Sequence, residues 1–494
     1  MWFAPGPGDV RRGGTPGAAA LILTGVVLHL VLYAASLPNL FTFDDRAIVV
    51  DSRVVRGTEP LVHAFRQAYF GIQYRPATVI SLGLDARLLG VSPGAMRFEN
   101  ILWAGAGAGL FALLLVRLGA SAPLAWTSLA LTAAHPVRSE AILSIVGRSE
   151  LLAFAFTAAA LLAALASWRA PDRPSRIGFA ALSAVAIAVA LLSKENAFAA
   201  PFGLALVAAL VRPRPPVRAA APAAALWTFA FAAVFALRAD VLRDVPWGSV
   251  PKVYAIENPI GLLPLPARAA AAAAVVPTAA ARLVWPATLA ADYGSRSLFG
   301  SAGLSPARSA AGAALLLAAV VAVLAARRAR PFVAFGVAWT LVTWLPFANF
   351  AFPTKVAFAE RLLFFAAPGV ALALAAFLEP PPCPAALRAA LVGGAVALGS
   401  LRIESRIPEW RDDRTLFEAT VRDLPGNGRA LMNLGVLALS RRDVTAAEDA
   451  VRRAVAADPA FCPGARALAD HARTLGQAEA ARRLDAALAP CGAR

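Results

Sequence analysis

Long uncharged apolar stretches alternate with short charged ones along most of the chain. No Asp, Glu, Lys or Arg occurs between Arg12 and Asp44. Further uncharged blocks cover residues 100–116, 151–168, 177–193, 196–211, 219–237, 309–326, 331–354 and 362–378. Each is close to the roughly 17–25 residues that a helix needs to cross a bilayer. Because the blocks do not alternate apolar and polar positions as barrel strands do, they predict an all-α polytopic membrane protein of about 11 transmembrane helices.

One apolar stretch does not fit this simple pattern. Residues 269–281 form a short run that contains Pro277. We predict a partly buried or re-entrant segment there, within a long outer region of residues 239–308. The last membrane helix is expected at residues 385–401, and the transmembrane domain at residues 1–402.

Composition agrees with a membrane protein and explains the excess of positive charge. Of the 494 residues, 59% are hydrophobic and 16% are charged, whereas soluble domains are usually about 45–50% apolar and about 25% charged. The net charge is +17, and much of it lies in short loops between apolar blocks. Anionic lipid headgroups explain this distribution better than nucleic acid, so membrane lipids are expected partners and nucleic acid is not.

Basic residues are concentrated in one set of loops. The expected cytoplasmic segments are the N-terminal segment with Arg11 and Arg12 and residues 117–121, 168–177, 212–218, 327–330 and 379–388. Together they carry thirteen Lys or Arg against three acids. The positive-inside rule then predicts a cytoplasmic N-terminus, a first extracytoplasmic loop at about 38–96 and an extracytoplasmic C-terminal region. The other loops mix bases with nearby acids.

The C-terminal region, residues 403–494, has the composition of a soluble domain. Leu434 and Gly435 are followed by Ala447, Ala454 and Pro459, with the spacing of a 34-residue tetratricopeptide repeat. We predict a short α-solenoid of such repeats, and a plain helical hairpin is the alternative.

Several motifs occur in a fixed order along the chain. They are "FTFDDRAIVV" (41–50), "YRPATVISLGLD" (74–85), "HPVRSEAILSIVGRSELLA" (135–153), "LLSKENA" (191–197) and "LPFANFAFPTKVAFAERLLFFAAPG" (345–369), followed by the repeats. This arrangement resembles the transmembrane and tetratricopeptide-repeat O-mannosyltransferases and their bacterial relatives, in the GT-C superfamily of membrane glycosyltransferases.

The resemblance implies that a sugar, with mannose expected, moves from a polyprenyl-phosphate carrier to a protein Ser or Thr hydroxyl on the extracytoplasmic side. The implied partners are the lipid-linked donor and an acceptor protein recruited by the repeats. A bacterial inner membrane is the expected location, with the repeats in the periplasm. No cofactor is assigned. Because no nucleotide leaves, a metal ion is not obviously required.

Such a reaction needs a base for the acceptor hydroxyl at the membrane surface. The adjacent Asp44 and Asp45 follow the first apolar block, and either one could be that base. The alternative is an interfacial acid pair that caps a short helix at residues 46–50.

The reaction also needs cationic groups for the departing phosphate. Arg361 is the strongest prediction, because a guanidinium can bind phosphate through two hydrogen bonds. The other predicted donor-phosphate or substrate-binding residues are Glu360, Arg148, His135, Lys194, Glu195, Tyr74 and Arg75.

Structural roles are the alternatives for several of these residues. Arg148 could simply pair with Glu150, His135 could be a structural residue at a helix end, and Tyr74–Arg75 could anchor an amphipathic helix. At the level of the whole protein, three alternatives stay open: a GT-C transferase acting on a cell-surface glycan or lipid, a transporter, or a non-enzymatic assembly factor with protein-binding repeats. Cys462 and Cys491 are expected outside, and free thiols are favoured over a disulfide.

Overall fold

The computed structural model describes residues 16–211, 215–244, 256–299, 304–379 and 383–492. Over these residues the protein is helical, with one isolated bridge between Tyr69 and Gln73 and no strand. Arg11, Arg12 and parts of the basic loops 212–218 and 379–388 lie outside the described residues.

Twenty α-helices occur in the described parts of the chain. In order they are α1 (Ala18–Tyr33), α2 (Pro76–Leu89), α3 (Pro93–Arg117), α4 (Ala122–Ala133), α5 (Ser139–Leu143), α6 (Arg148–Arg169), α7 (Arg173–Ser193), α8 (Ala200–Leu210), α9 (Val217–Val241), α10 (Leu265–Val284), α11 (Ser295–Phe299), α12 (Pro306–Ala329), α13 (Pro331–Trp344), α14 (Ala367–Phe377), α15 (Ala385–Arg406), α16 (Asp413–Asp423), α17 (Gly428–Ser440), α18 (Val444–Ala457), α19 (Cys462–Thr474) and α20 (Ala478–Ala487).

Eight helical segments of the described chain are long and apolar enough to cross a membrane. They contain α1, α3, α6, α7, α9, α10, α12 and α15. Three shorter apolar segments contain α8, α13 and α14. The predicted all-α, polytopic membrane architecture is therefore confirmed.

The expectation for residues 269–281 was wrong in its extent. This stretch is the middle of α10, a continuous helix of 20 residues with Pro277 inside it. A proline cannot donate to the carbonyl four residues earlier, which here is that of Ala273. Gly312 of α12 lies directly against this carbonyl, since an added Cβ would fall 1.8 Å from its oxygen. The neighbouring helix therefore covers the position where α10 lacks a hydrogen bond.

Small residues allow the membrane-length helices to pack closely. Gly25 of α1 faces Gly105 and Gly109 of α3, where an added Cβ on Gly105 would lie 2.5 Å from the Cα of Val26. In contrast, α12 exposes large apolar side chains such as Leu317, 66% exposed. A helix that is apolar on its outer face is suited to contact with lipid.

The C-terminal region forms successive helix pairs, α17 with α18 and α19 with α20. Gly435 packs on Val451, and Ala447 and Ala454 are buried where the helices meet. The assignment of these pairs to tetratricopeptide repeats stays a prediction. The preference for free thiols was wrong, because Cys462 and Cys491 form a disulfide that joins the start of α19 to the turn after α20.

Candidate active site

A cavity of about 480 Å³ lies where the connections between the membrane-length helices meet the C-terminal region. Its walls come from the segment after α1, the α5–α6 connection, the α7–α8 connection and residues 346–362. Trp410 and Arg429 of the C-terminal region complete it. Five of the ten predicted site residues line this cavity: Asp44, Arg75, Lys194, Glu195 and Arg361. Charged groups that are far apart in the sequence therefore share one enclosed space.

The adjacent carboxylates Asp44 and Asp45 have different surroundings. Asp45 is fully buried and accepts hydrogen bonds from the backbone N–H groups of Val146, at 3.0 Å, and Thr42, at 3.1 Å. The hydroxyl of Ser144 also donates to it, at 3.3 Å. Burial raises the pKa of Asp45 to about 6, although the backbone N–H groups oppose the shift. Asp45 therefore ties the segment after α1 to the α5–α6 connection.

Asp44 is half-buried and lines the cavity. Among the described residues, none donates a hydrogen bond to its carboxylate. The structure does not support the alternative in which the acid pair caps a short helix at residues 46–50. A short π-helical turn does occupy Arg46–Val50, but the side chain of its N-cap residue, Asp45, makes no capping hydrogen bond.

The adjacent residues Glu360 and Arg361 also have different surroundings. Glu360 is fully buried and accepts hydrogen bonds from Arg406 and from the hydroxyl of Tyr293, at 2.8 and 2.6 Å. Arg361 lines the cavity, where its Nη1 donates to Glu140 at 2.5 Å. Glu360 therefore lies outside the cavity and holds α15, through Arg406, to the segment before Tyr293.

Asp44 lines the cavity together with the cations Arg361 and Lys355 and affects the pKa of both. Burial opposes the charged form of Arg361, but Glu140 and then Asp44 outweigh it and raise the pKa of this guanidinium. Burial lowers the pKa of Lys355, and the carboxylates of Glu257 and Asp44 partly oppose that shift. The ammonium of Lys355 lies 4.8 Å from the centre of the Phe70 ring. A carboxylate and two cations thus face the same space.

Lys194 and Glu195 do not pair with each other. Lys194 is buried and pairs with Glu150. Glu195 accepts two hydrogen bonds from Arg75, at 2.7 and 3.0 Å. Arg75 immediately precedes α2, so this pair fastens α2 to the α7–α8 connection.

Besides Asp45 and Glu360, three more predicted residues lie outside the cavity. Arg148 is fully buried and pairs at 2.8 Å with Asp85 of α2, so the alternative of a pair with Glu150 was wrong. His135 donates through Nε2 to the carbonyl of Leu283 at 2.9 Å and accepts the N–H of Val137 at Nδ1.

Burial lowers the pKa of His135 to about 4, which agrees with a neutral ring. Tyr74 donates to the carbonyl of Phe65 at 3.2 Å. These contacts favour structural roles, and functional roles for Arg148, His135 and Tyr74 stay predictions without support from the geometry.

The prediction omitted several residues of the cavity wall. Glu140 and Glu150 lie in outer loops that mix bases with nearby acids, but each pairs with a cation from a distant segment. Lys355 lies in another of these loops and is not among the predicted site residues. Arg429 comes from α17, where no sequence signal connects it to the membrane domain; it pairs with Glu257 and Asp292, both at 3.3 Å.

The chain has relatives among known protein sequences but matches no solved structure. No protein-family profile matches it either. A protein O-mannosyl-transferase of Caenorhabditis elegans is 29% identical over 175 residues, which are 32% of this chain and 25% of that protein. The human protein O-mannosyl-transferase TMTC3 is 29% identical over 184 residues, 35% of this chain and 20% of that protein.

The human protein O-mannosyl-transferase TMTC2 is 29% identical over 152 residues, 28% of this chain and 18% of that protein. The matched part spans about a quarter or less of the length of these relatives. The homologues of the chain are thus TMTC-type protein O-mannosyl-transferases, at modest identity over about a third of its length.

Proposed function

We propose that this chain, whose homologues are protein O-mannosyl-transferases, is an integral-membrane glycosyltransferase that moves a sugar, with mannose the expected one, from a polyprenyl-phosphate carrier to a protein Ser or Thr hydroxyl. The observation that carries the proposal is the cavity, whose wall contains the half-buried carboxylate of Asp44 together with Arg361 and Lys355. This is the set of groups that the reaction needs: a base for the acceptor and cations for the phosphate.

Asp44, and not Asp45, is the base in this proposal. A base must reach the proton that it takes, and Asp44 lines the cavity while Asp45 is fully buried. The oxygens of Asp45 are already occupied by the donors of Thr42, Ser144 and Val146. Asp45 is a positioning residue that fixes the segment carrying Asp44.

Arg361 is the proposed principal contact of the donor phosphate. Its side chain is 27% exposed, whereas those of Arg75 and Lys194 are 9% and 5% exposed and each is paired with a carboxylate. Glu140 orients the guanidinium from one side. A guanidinium fixed in this way retains N–H groups for a phosphate.

The apolar part of the cavity suits a prenyl chain. Phe198, Phe202 and Phe235 line it, and Phe202 of α8 is 55% exposed. Such aromatic groups offer a hydrophobic path from the surface of the apolar helices to the charged groups. A lipid-linked donor matches this combination better than a water-soluble nucleotide sugar does.

The chemical step balances with these groups alone. The acceptor oxygen attacks the anomeric carbon of the lipid-linked sugar as the bond from this carbon to the phosphate oxygen breaks. The acceptor proton passes to the carboxylate of Asp44. The bonding electron pair leaves with the phosphate, whose negative charge Arg361 and Lys355 balance.

We place this cavity and the C-terminal region on the extracytoplasmic side. The positive-inside pattern supports this sidedness. The Cys462–Cys491 disulfide supports it independently, since disulfides persist in oxidising compartments such as the bacterial periplasm.

The test is a transfer assay with purified protein in detergent or nanodiscs, polyprenyl-phosphate mannose and a Ser/Thr-rich acceptor polypeptide, read by mass spectrometry. We expect the acceptor to gain one hexose mass on Ser or Thr. A cell-surface glycan or lipid as the modified species would overturn the protein acceptor but retain the reaction. No product with any acceptor or polyprenyl-phosphate sugar would overturn the proposed chemistry.

A further inference from the structure

The segment that carries Asp44 is held by the C-terminal region as well as by the membrane domain. The backbone N–H of Leu40 donates to the carbonyl of Arg411 at 2.8 Å. The side-chain amide of Asn39 donates to the carbonyl of Ile407, also at 2.8 Å. The segment after α1 and the start of the C-terminal region therefore meet next to the cavity.

The carboxylate of Asp413 makes the contacts closest to Asp44. Its Oδ1 accepts the backbone N–H of Phe43 at 2.7 Å, and its Oδ2 accepts Nε of Arg46 at 3.1 Å. One side chain of the C-terminal region thus binds the chain on both sides of Asp44. The side chain of Asp413 is 13% exposed, so water competes little for its hydrogen bond to the Phe43 N–H, whereas Arg46 is 65% exposed and its ion pair with Asp413 contributes less.

Asp413 is not needed to cap its own helix. It is the first residue of α16, where Asp412 and Thr415 form a complete capping box. That motif already pairs the backbone N–H groups of Asp412 and Thr415. The carboxylate of Asp413 is therefore directed at the Asp44 segment without a local role in capping α16.

Phe43 has a backbone conformation that needs support from outside. Its φ is +51°, in the left-handed region that bulky residues rarely occupy. Its ring packs edge-on against Phe417, with centroids 5.7 Å apart, and the guanidinium carbon of Arg429 lies 4.9 Å from the centre of the ring. A conformation of this kind persists only where surrounding contacts fix it. Most of these contacts come from the C-terminal region.

We propose that Asp413 is a positioning residue for the base: it holds Phe43 in its left-handed conformation and so directs the carboxylate of Asp44 into the cavity. This inference rests on the proposed function, in which Asp44 takes the acceptor proton. The C-terminal region is then part of the active site and not only a module that recruits acceptors. Its α16 fixes the outer side of the segment, while Asp45 fixes the inner side.

The test uses the full-length protein and two independent measurements. The variants are Asp413→Ala, which removes both hydrogen bonds, and Asp413→Asn, which keeps the size and one acceptor oxygen. The matched control is Glu418→Gln on the same helix, since Glu418 is 49% exposed and pairs only locally with Arg414. Hydrogen exchange of peptides covering residues 38–46 measures how strongly the backbone amides of this segment are protected. Initial rates at varied donor and acceptor concentrations measure kcat and KM.

We expect faster exchange of the Phe43 amide in Asp413→Ala, with a smaller increase in Asp413→Asn and none in Glu418→Gln. The kcat of Asp413→Ala should fall about 10- to 100-fold, the scale of a displaced catalytic group. The KM for the lipid donor should not change, because Arg361 and the phenylalanines lie elsewhere in the cavity. If Asp413→Ala does not accumulate, the same comparison is made with Asp413→Asn.

Unchanged exchange over residues 38–46 would overturn the inference whatever the activity. Faster exchange with an unchanged kcat would also overturn it, since the contact would then be structural only. Both results leave the proposed function intact, provided that the wild type transfers sugar and Asp44→Asn does not. Failure of the wild type to transfer any sugar would instead reject the proposed function, and the exchange measurement alone would then decide whether Asp413 holds the segment.

Discussion

Asp44–Asp45 and Glu360–Arg361 are two pairs of adjacent charged residues in which the two side chains have different surroundings. In each pair one side chain lines the cavity and the other is fully buried in a hydrogen-bond network. Asp44 and Arg361 face the cavity, whereas Asp45 and Glu360 tie together segments distant in sequence. Charged residues at the ends of membrane helices thus have two separable tasks, and adjacent positions can perform different ones.

The two tasks differ in what a substitution should change. A buried ionic group without its partner is costly, because the remaining charge has lost both water and its counter-ion. The carboxylate of Asp44 accepts no hydrogen bond from the described residues, so its replacement should leave the fold largely intact and change the chemistry. Arg361 pairs with the buried Glu140, so its removal should lower stability as well as transfer. We therefore expect variants of Asp44 to lose transfer and variants of the buried network residues to lose stability.

The largest effect is expected at the proposed base. Asp44→Asn keeps the size of the side chain but cannot take a proton, so the transfer rate should fall by ~10²–10⁴-fold. Accumulation and thermal stability in detergent should match the wild type. Asp51→Asn, an exposed acid in the same outer segment, is the control and should retain full activity. A fully active Asp44→Asn would remove this residue from the chemistry.

A loss of stability is expected when the Glu360 network is broken. Glu360→Ala removes the nearer carboxylate partner of the fully buried guanidinium of Arg406, at 2.8 Å, and leaves Glu409 at 3.7 Å, so the expected destabilisation is at most about 3–5 kcal/mol. Thermal unfolding in detergent is the measurement. Glu404→Gln, at an exposed position of the same helix α15, should unfold like the wild type. Equal stability of the two variants would contradict a structural role for Glu360.

A smaller effect is expected at Arg361. Arg361→Ala should reduce kcat/KM by about 10- to 100-fold, the loss of about 1.4–2.7 kcal/mol of charge-assisted hydrogen bonding to the donor. Arg361→Lys should recover part of it, since an ammonium replaces the planar guanidinium. Arg411→Ala, which removes a guanidinium that is 65% exposed and outside the cavity wall, is the control. Wild-type kinetics in Arg361→Ala would exclude this residue as a phosphate contact.

The sequence predicted the helices well because length and apolarity alone decide whether a segment can cross a bilayer. It also indicated the cavity residues Asp44, Arg75, Lys194, Glu195 and Arg361, because a charge at the end of an apolar block is costly unless it is used. The extent of α10 was missed because tolerance of Pro277 depends on Gly312 of another helix.

Partners of the charges could not be predicted from the sequence. Proximity in the sequence suggested that Arg148 pairs with Glu150. In the structure Arg148 pairs with Asp85, and Glu150 pairs with Lys194. Glu140 meets Arg361, which is 221 residues away along the chain. Which of two adjacent side chains lines the cavity depends on the local backbone, such as the positive φ of Phe43. The contacts that hold this backbone come from the C-terminal region, which is distant in sequence.

The smallest expected effect is a pH dependence of stability that comes from the buried carboxyl of Asp45. The pKa of Asp45 is raised to about 6 in the folded protein, from an ordinary value of 3.8, because the carboxyl is buried. Between these values the folded protein binds more protons than the unfolded chain, so the free energy of unfolding falls as the pH rises. From pH 5 to pH 7 this contribution should decrease by on the order of 1 kcal/mol.

Asp45→Asn does not titrate, so the stability difference between the wild type and this variant should shift by that amount over the same pH range. Asp51→Asn, the same substitution at an exposed position of this outer segment, is again the control. Thermal unfolding in detergent at pH 5, 6 and 7 is the measurement. A pH-independent difference for Asp45→Asn would mean that the Thr42, Ser144 and Val146 donors stabilise the carboxylate enough to cancel the cost of its burial. The different positions of Asp44 in the cavity wall and of Asp45 in the interior would then be the only evidence that the two acids have different tasks.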